Sequence, residues 1–265
     1  MKNPLNISAL APKMRVRIAL IIGGAVVLAA LTILANISRL RSPVHDVVVD
    51  IRHRGTPLLV SQQTVRDSIF AAMPQLSTTR VADVDRDRVA NAVLNVPFIE
   101  SATASVSVSG KVVVKAVQRR PIARLYYGNR EFYFDKYGKV FPTSTLASCD
   151  VLVAGGNFKQ PLRRDSLSAQ VLELVEVARF LDENSKYSPM VDQIYSMAEG
   201  IVCLAPKLGN FTIELGDAQN LEEKFSNLLS FYCNGLPRAG WNTYSRISLK
   251  FNGQVVCTRA KNVRQ

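Results

Sequence analysis

Along this chain the spacing of apolar residues changes character, and each change predicts a different kind of element. From Ile18 to Ile37 the sequence reads IALIIGGAVVLAALTILANI, twenty residues without a charge. That is the length a helix needs to cross about 30 Å of hydrocarbon while satisfying its own backbone hydrogen bonds. A cleaved signal peptide would carry a shorter apolar stretch of roughly 7–15 residues. A core helix would keep a polar face. The run fits neither. Beyond Ser42-Pro43 the pattern turns globular. Residues 46–51 alternate, with Val47, Val49 and Ile51 on one side, as in a half-buried strand. Ser61 is placed to cap a helix over 62–72 whose Val65, Ile69 and Ala72 share a face, and Pro74 ends it. A second helix is predicted over 85–94, starting at Asp85 and closed by Pro97, with Val89 and Val93 inward. Strands over 101–108 and 111–117 follow, joined at Ser109-Gly110 as a hairpin.

After Arg119-Arg120-Pro121, strand signals dominate. Segments 122–127 and 131–134 flank Gly128-Asn129, and Asp135-Lys136-Tyr137-Gly138 turns into 139–141. A short apolar strand over 151–153 runs into a loop at Ala154-Gly155-Gly156-Asn157. Residues 166–181 give the clearest helix, with Leu167, Val171, Leu174, Ala178 and Leu181 in one stripe. Strands over 191–197, 201–204 and 211–215 lead to a helix over 217–232, capped by Asp217 and lined by Leu221, Phe225, Leu228 and Tyr232. Strands over 244–251 and 254–259 close the chain about Asn252-Gly253, a strong hairpin signal. The expected fold class is α+β. A tail (1–17) and a transmembrane helix (18–37) precede a β-α-α-β-β module over 44–118, whose two helices cover one face of a three-stranded sheet. A larger mixed β domain with two helices occupies 119–262.

Charge sharpens this picture. The formal net charge is +12, and residues 1–41 carry half of it through Lys2, Lys13, Arg15, Arg17, Arg39 and Arg41, with no acid among them. A basic balance split around one apolar run points to a membrane before nucleic acid. The basic series Lys111, Lys115, Arg119, Arg120, Arg124 crosses a strand boundary without an aromatic platform and reads as a solvated face. Catalytic chemistry has little to work with. His45 and His53 are the only imidazoles. No serine is followed three positions later by lysine, and no Gly-x-Ser-x-Gly, Gly-x-Gly-x-x-Gly or phosphate-binding loop occurs. Asp83-Val84-Asp85-Arg86-Asp87 fails as a calcium loop, because Arg88 and Leu94 stand where glycine and glutamate are required. Cys149, Cys203, Cys233 and Cys257 are too far apart for a zinc motif. Two disulfides and free buried thiols are both compatible with their positions. No enzyme activity, cofactor, metal, nucleic acid or small-molecule substrate is therefore expected.

The order of a short tail, one anchor, a β-α-α-β-β module and a β-rich module resembles the bacterial cell-division family FtsQ/DivIB. Asn95-Val96-Pro97-Phe98-Ile99, with Ala102 and Val106, looks like that family's exit from the second helix into a strand. Val112 to Ala123, reading VVVKAVQRRPIA, looks like its strand-to-ERxPxA junction, with Gln118 in place of the usual acid. Tyr133 to Phe141, reading YFDKYGKVF, looks like its Asp-containing hairpin. The resemblance implies a POTRA domain over 44–118, the family's β domain over 119–262, and no catalysis. It also implies a scaffold that joins the small membrane-anchored division proteins FtsB and FtsL to septal peptidoglycan synthesis. In the family the partner engages the exposed last strand. The matching residues here are Lys250, Phe251, Asn252, Gly253, Gln254, Val255, Val256, Cys257, Thr258 and Arg259. An alternative is a membrane-anchored POTRA protein assisting outer-membrane assembly or polypeptide transport. Such proteins continue into many lipid-facing strands of roughly ten residues, which this sequence lacks.

The residues support the last strand independently. Ile247, Leu249 and Phe251 alternate with Arg246, Ser248 and Lys250, so one face is expected to be buried. The final strand then sits at a sheet edge, offering unpaired N–H and C=O groups to a partner strand, and proline at Val256 would remove one donor. The expected topology is an inner-membrane protein with its N-terminus cytoplasmic and its bulk periplasmic, at the septum. A reporter fused after Gln265 is accordingly expected to be active outside the cytoplasm and silent within it.

Overall fold

The computed structural model describes residues 17, 20–32, 42–107, 109–160, 162 and 167–260. Residues 20–32 form a helix, α1, with every side chain exposed. Ile18 and Ile37, the ends of the expected span, lie outside the described residues, and no described helix is long and apolar enough to cross a membrane. The rest divides into two compact units. One takes residues up to Ile51, Gln62–Val96 and Ser101–Ala116; the other takes Arg52–Ser61, Pro97–Glu100 and everything from Val117 on.

The first unit follows its pattern closely. Strands β1 (Asp46–Arg52), β2 (Ile99–Val106) and β3 (Lys111–Gln118) form a sheet in the order β1-β3-β2. Period-two alternation buries Val47, Val49, Val112, Val114 and Ala116 on one face. Helices α2 (Gln62–Ala72) and α3 (Arg86–Leu94) contribute the buried stripes Val65–Ile69 and Val89–Val93. The Asp85 carboxylate caps α3 by accepting from Arg88 N–H at 3.0 Å, so its acid serves the helix and not a metal. The link from β2 to β3 is longer than a two-residue hairpin: β2 ends at Val106, and Ser107 N–H donates to Lys111 O at 2.8 Å.

The second unit is built on one nine-stranded mixed sheet. Its strands are β4 (Pro121–Tyr127), β5 (Arg130–Asp135), β6 (Val140–Pro142), β7 (Leu152–Gly156), β8 (Val191–Ser196), β9 (Val202–Pro206), β10 (Thr212–Gly216), β11 (Tyr244–Ser248) and β12 (Val256–Arg259). The order across the sheet is β12-β11-β10-β9-β8-β7-β4-β5-β6. Pairs β4–β7, β7–β8 and β10–β11 run parallel and the others antiparallel. One face is covered by α4 (Ala169–Glu183) and α5 (Leu221–Asn234), whose Val171, Leu174, Ala178, Leu181, Phe225 and Leu228 join Leu125, Ile194, Leu204, Ile213 and Ile247 in a single core. A short helix, α6 (Leu236–Ala239), follows α5 and buries Leu236.

Local departures from the expected elements have physical causes. Ala154-Gly155-Gly156 is strand and not loop, paired with Ile194, Tyr195 and Ser196; a Cβ at Gly156 would run into the Ser196 backbone, so glycine is what allows the approach. Helix α4 begins after Ser168, which accepts from Val171 N–H, and Leu167 packs on the core from outside the helix. Asp217 does not cap α5. Its carboxylate is taken by Gln219 N–H and by Nζ of the buried Lys224, at 3.1 and 2.7 Å. The Lys224 ammonium holds the Asp217 carboxyl below its usual range. The helix starts instead at Leu221, after Asn220 in a left-handed conformation.

Arg119 and Asp135, from two separate sequence motifs, meet as an ion pair at 2.7 Å with the Asp135 side chain 2% exposed. The same carboxylate accepts from Tyr137 and Lys139 N–H, both at 2.9 Å, which sets the turn between β5 and β6. Breaking such a pair leaves a buried charge unmatched. Asp135→Ala is expected to cost about 3–5 kcal/mol of second-unit stability in chemical denaturation.

All four cysteines are free. Burial, and after it the charge of Glu214, pushes the Cys203 thiol up to about 11. Because the folded value lies above the ordinary 9.0, this group's contribution is complete below pH 9 and is lost as pH rises towards 11. At neutral pH iodoacetamide is expected to label the exposed Cys233 readily and to leave Cys203 and Cys149 untouched until the chain is unfolded.

Candidate functional site

An open sheet ends in two edge strands, and the two here differ. Edge strand β6 is three residues long, buries Val140 and Phe141, and ends in Pro142, which has no N–H to offer. Edge strand β12 pairs with β11 alone, through Ser248↔Val256, Ile247↔Cys257, Arg246↔Thr258 and Tyr244↔Arg259. Among the described residues no strand lies on its other side. Ala260 N–H donates inward to Thr243 O at 3.0 Å. Counting back by twos, Thr258 and Val256 also face β11, so Cys257 turns its amide and carbonyl outward, as does the Arg259 amide, while the Arg259 carbonyl is reached by Ser245 Oγ of β11 at 3.5 Å. The sequence reading put the useful proline at Val256. The pairing moves it to Cys257, since the Val256 amide serves the sheet's own ladder.

Burial across the sheet locates the same boundary. On the face away from α4 and α5, one row runs Cys203, Glu214, Ser248, Val256 over β9 to β12. Exposure along it is 0%, 8%, 7% and then 43%. Among the described residues no further strand lies beside Val256 to shield it. On the helix-covered face the row Leu204, Ile213, Ile247, Cys257 ends with Cys257 packed against the core. Arg246 Nη1 reaches Glu214 Oε1 at 3.0 Å, matching the buried carboxylate beside this edge. Ser248 Oγ is buried without a hydrogen-bond partner.

Of the ten expected residues, Val256, Cys257, Thr258 and Arg259 form the edge strand, and Val255 packs partly against the core. Lys250, Phe251, Asn252, Gly253 and Gln254 do not continue a hairpin. They form an exposed turn: the β11–β12 ladder ends at Ser248↔Val256, while Leu249 N–H continues the β10–β11 ladder by donating to Glu214 O at 2.8 Å. Phe251, expected inward with Ile247 and Leu249, is 56% exposed. Ser248, expected outward, is buried because β10 and β12 flank it on both sides. Sequence reasoning missed Glu223, whose Oε1 accepts from Gly253 N–H at 3.0 Å; thirty residues separate the pair, so no local pattern betrays it.

Elsewhere the chemistry is sparse. His45 and His53 are exposed, and His53 Nδ1 lies 2.6 Å from Thr56 O within a turn. Among the described residues no cluster of His, Cys, Asp or Glu is placed to hold a metal. A cavity of about 390 Å³ is lined by Arg120, Asp150, Leu152, Asp182, Ser188 and Lys207, and its Arg120 is engaged by Asp182.

A family model described as FtsQ/DivIB, C-terminal related, matches residues 120–258, a little over half of the chain. The match begins just before β4 and stops within β12, so it covers nearly the whole nine-stranded sheet. No curated protein gives a match. The FtsQ/DivIB family is one of non-enzymatic division scaffolds associated with the septum. With its β domain matched from the first strand into the last, this chain belongs to the FtsQ/DivIB family of bacterial cell-division proteins.

Proposed function

We propose that the chain is a non-enzymatic scaffold that adds an extended segment of an FtsB/FtsL-type partner to the open side of β12. In this reading, residues 18–37 anchor it once in the inner membrane, with residues 1–17 cytoplasmic and the remainder periplasmic. In chain order the POTRA domain over 44–118 follows the anchor and precedes the β domain over 119–262, and the bound partners link the assembly to septal peptidoglycan synthesis. The single observation that carries this is the open side of β12, where among the described residues no strand pairs with the outward backbone of Cys257. The exposed Phe251 and Val256 flank that edge and supply apolar contact for a strand laid beside it. Lys250 and Arg259 favour an acidic partner segment, because charges of opposite sign across a strand pair attract.

The test is a comparison of Cys257→Pro, Cys257→Val and Val256→Pro. Cys257→Pro removes an outward donor and sets a ring against the incoming strand. It should weaken capture of a synthetic peptide from the partner's exported segment by about tenfold or more, with the unfolding midpoint unchanged. Cys257→Val, which keeps the donor, should bind as the native chain does. Val256→Pro should loosen the β11–β12 ladder itself and lower the unfolding midpoint. Equal affinities for Cys257→Pro and Cys257→Val would end the strand-addition reading.

A further inference from the structure

Between Ser248, the last residue of β11, and Val256, the first of β12, the chain leaves the sheet. Leu249 is still held: its N–H donates to Glu214 O and its side chain is buried. From Lys250 to Gln254 every residue is exposed. The turn closes on itself through Gln254 N–H and Phe251 O at 3.2 Å. One hydrogen bond runs out of it, from Gly253 N–H to Glu223 Oε1 at 3.0 Å. Among the described residues, no other hydrogen bond ties residues 250–255 to the rest of the unit. Gly253 has φ +68°, a conformation that other residues adopt only with strain. Glu223 lies in the first turn of α5, and Lys224 beside it is fixed by Asp217 at 2.7 Å. The turn is thus fastened to a rigid helix through one carboxylate.

That fastening bears on the edge. Strand β12 is four residues long and paired on one side, so its start depends on where the turn delivers it. A partner strand can add only to residues already extended and in register, and each residue that must be ordered at the moment of binding weakens the complex. We propose that Glu223 is the positioning residue of the β12 edge: its carboxylate holds the turn and pre-orders Val256–Arg259 for the incoming segment. This rests on the edge reading above. A purely local role for Glu223, complementing the dipole at the start of α5, would need its charge and not the oxygen that Gly253 reaches. Glu222 already supplies an acid to that turn.

The two roles separate by substitution, because Glu223→Gln keeps the acceptor oxygen without the charge and Glu223→Ala keeps neither. Both are compared with the native protein and with Cys257→Pro, using the full chain in detergent. Amide hydrogen exchange over residues 252–259 and affinity for the synthetic FtsB-type segment are read together. Glu223→Ala should speed exchange and weaken affinity, each by about tenfold, with an unchanged unfolding midpoint. Glu223→Gln should restore both to near the native values. Native exchange or native affinity in Glu223→Ala overturns the proposal, as does a Gln variant that behaves like Ala. Should Glu223→Ala bind normally while Cys257→Pro does not, the edge survives and the role of Glu223 falls. Should Cys257→Pro also bind normally, both fall together.

Discussion

Every strand of a sheet has two rows of backbone hydrogen-bonding groups, and a sheet that does not close must leave one row unpaired at each end. In this protein that constraint organises the second unit. The edge at β6 is short, buried and stopped by Pro142, so it offers little to another chain. The edge at β12 keeps extended backbone groups directed outward, and the sheet row that ends at Val256 goes from buried to exposed in one step. Backbone geometry makes the two ends unlike; no unusual side chain is needed.

The core beneath the sheet holds β11 in a fixed place, and β11 in turn holds β12. Ile213 and Ile247 are fully buried under the helix-covered face, and the parallel β10–β11 register continues that packing to the last interior strand. On the opposite face, Glu214 is matched by Arg246, so a carboxylate that is 8% exposed does not sit uncompensated beside the edge. At the far end of the sheet, Arg119 and Asp135 perform a comparable task by fixing the turn between β5 and β6. In both places, ionic groups set the geometry of a strand connection or a strand face. Neither place assembles a nucleophile, a base and a substrate cavity.

The sequence was most legible where one residue's role depends on near neighbours. The helix over 62–72, the start of α3 near Asp85 and the stripes of α4 and α5 follow from period and local helix signals, and the structure places them within a few residues of expectation. It misled where a distant segment takes up the same groups. Asn252-Gly253 is a strong turn signal, yet the ladder ends at Ser248↔Val256, the Gly253 amide goes to Glu223 on α5, and a longer turn replaces the tight hairpin. Gly155-Gly156 looks like loop composition until β8 is laid beside it, when the missing side chain of Gly156 is what allows the strands to meet. Asp217 has the identity of a cap, but the buried ammonium of Lys224 takes its carboxylate first.

The sequence by itself determined the elements, the α+β class, the sparse catalytic chemistry and the family, because these depend on composition, local periodicity and short motifs. Only the tertiary structure decided which strand stands at the open edge, which of its amides face outward and which distant carboxylate holds its turn. Those properties are pairings between segments tens of residues apart. A chain read in order contains both members of each pair, but it does not contain the register that joins them.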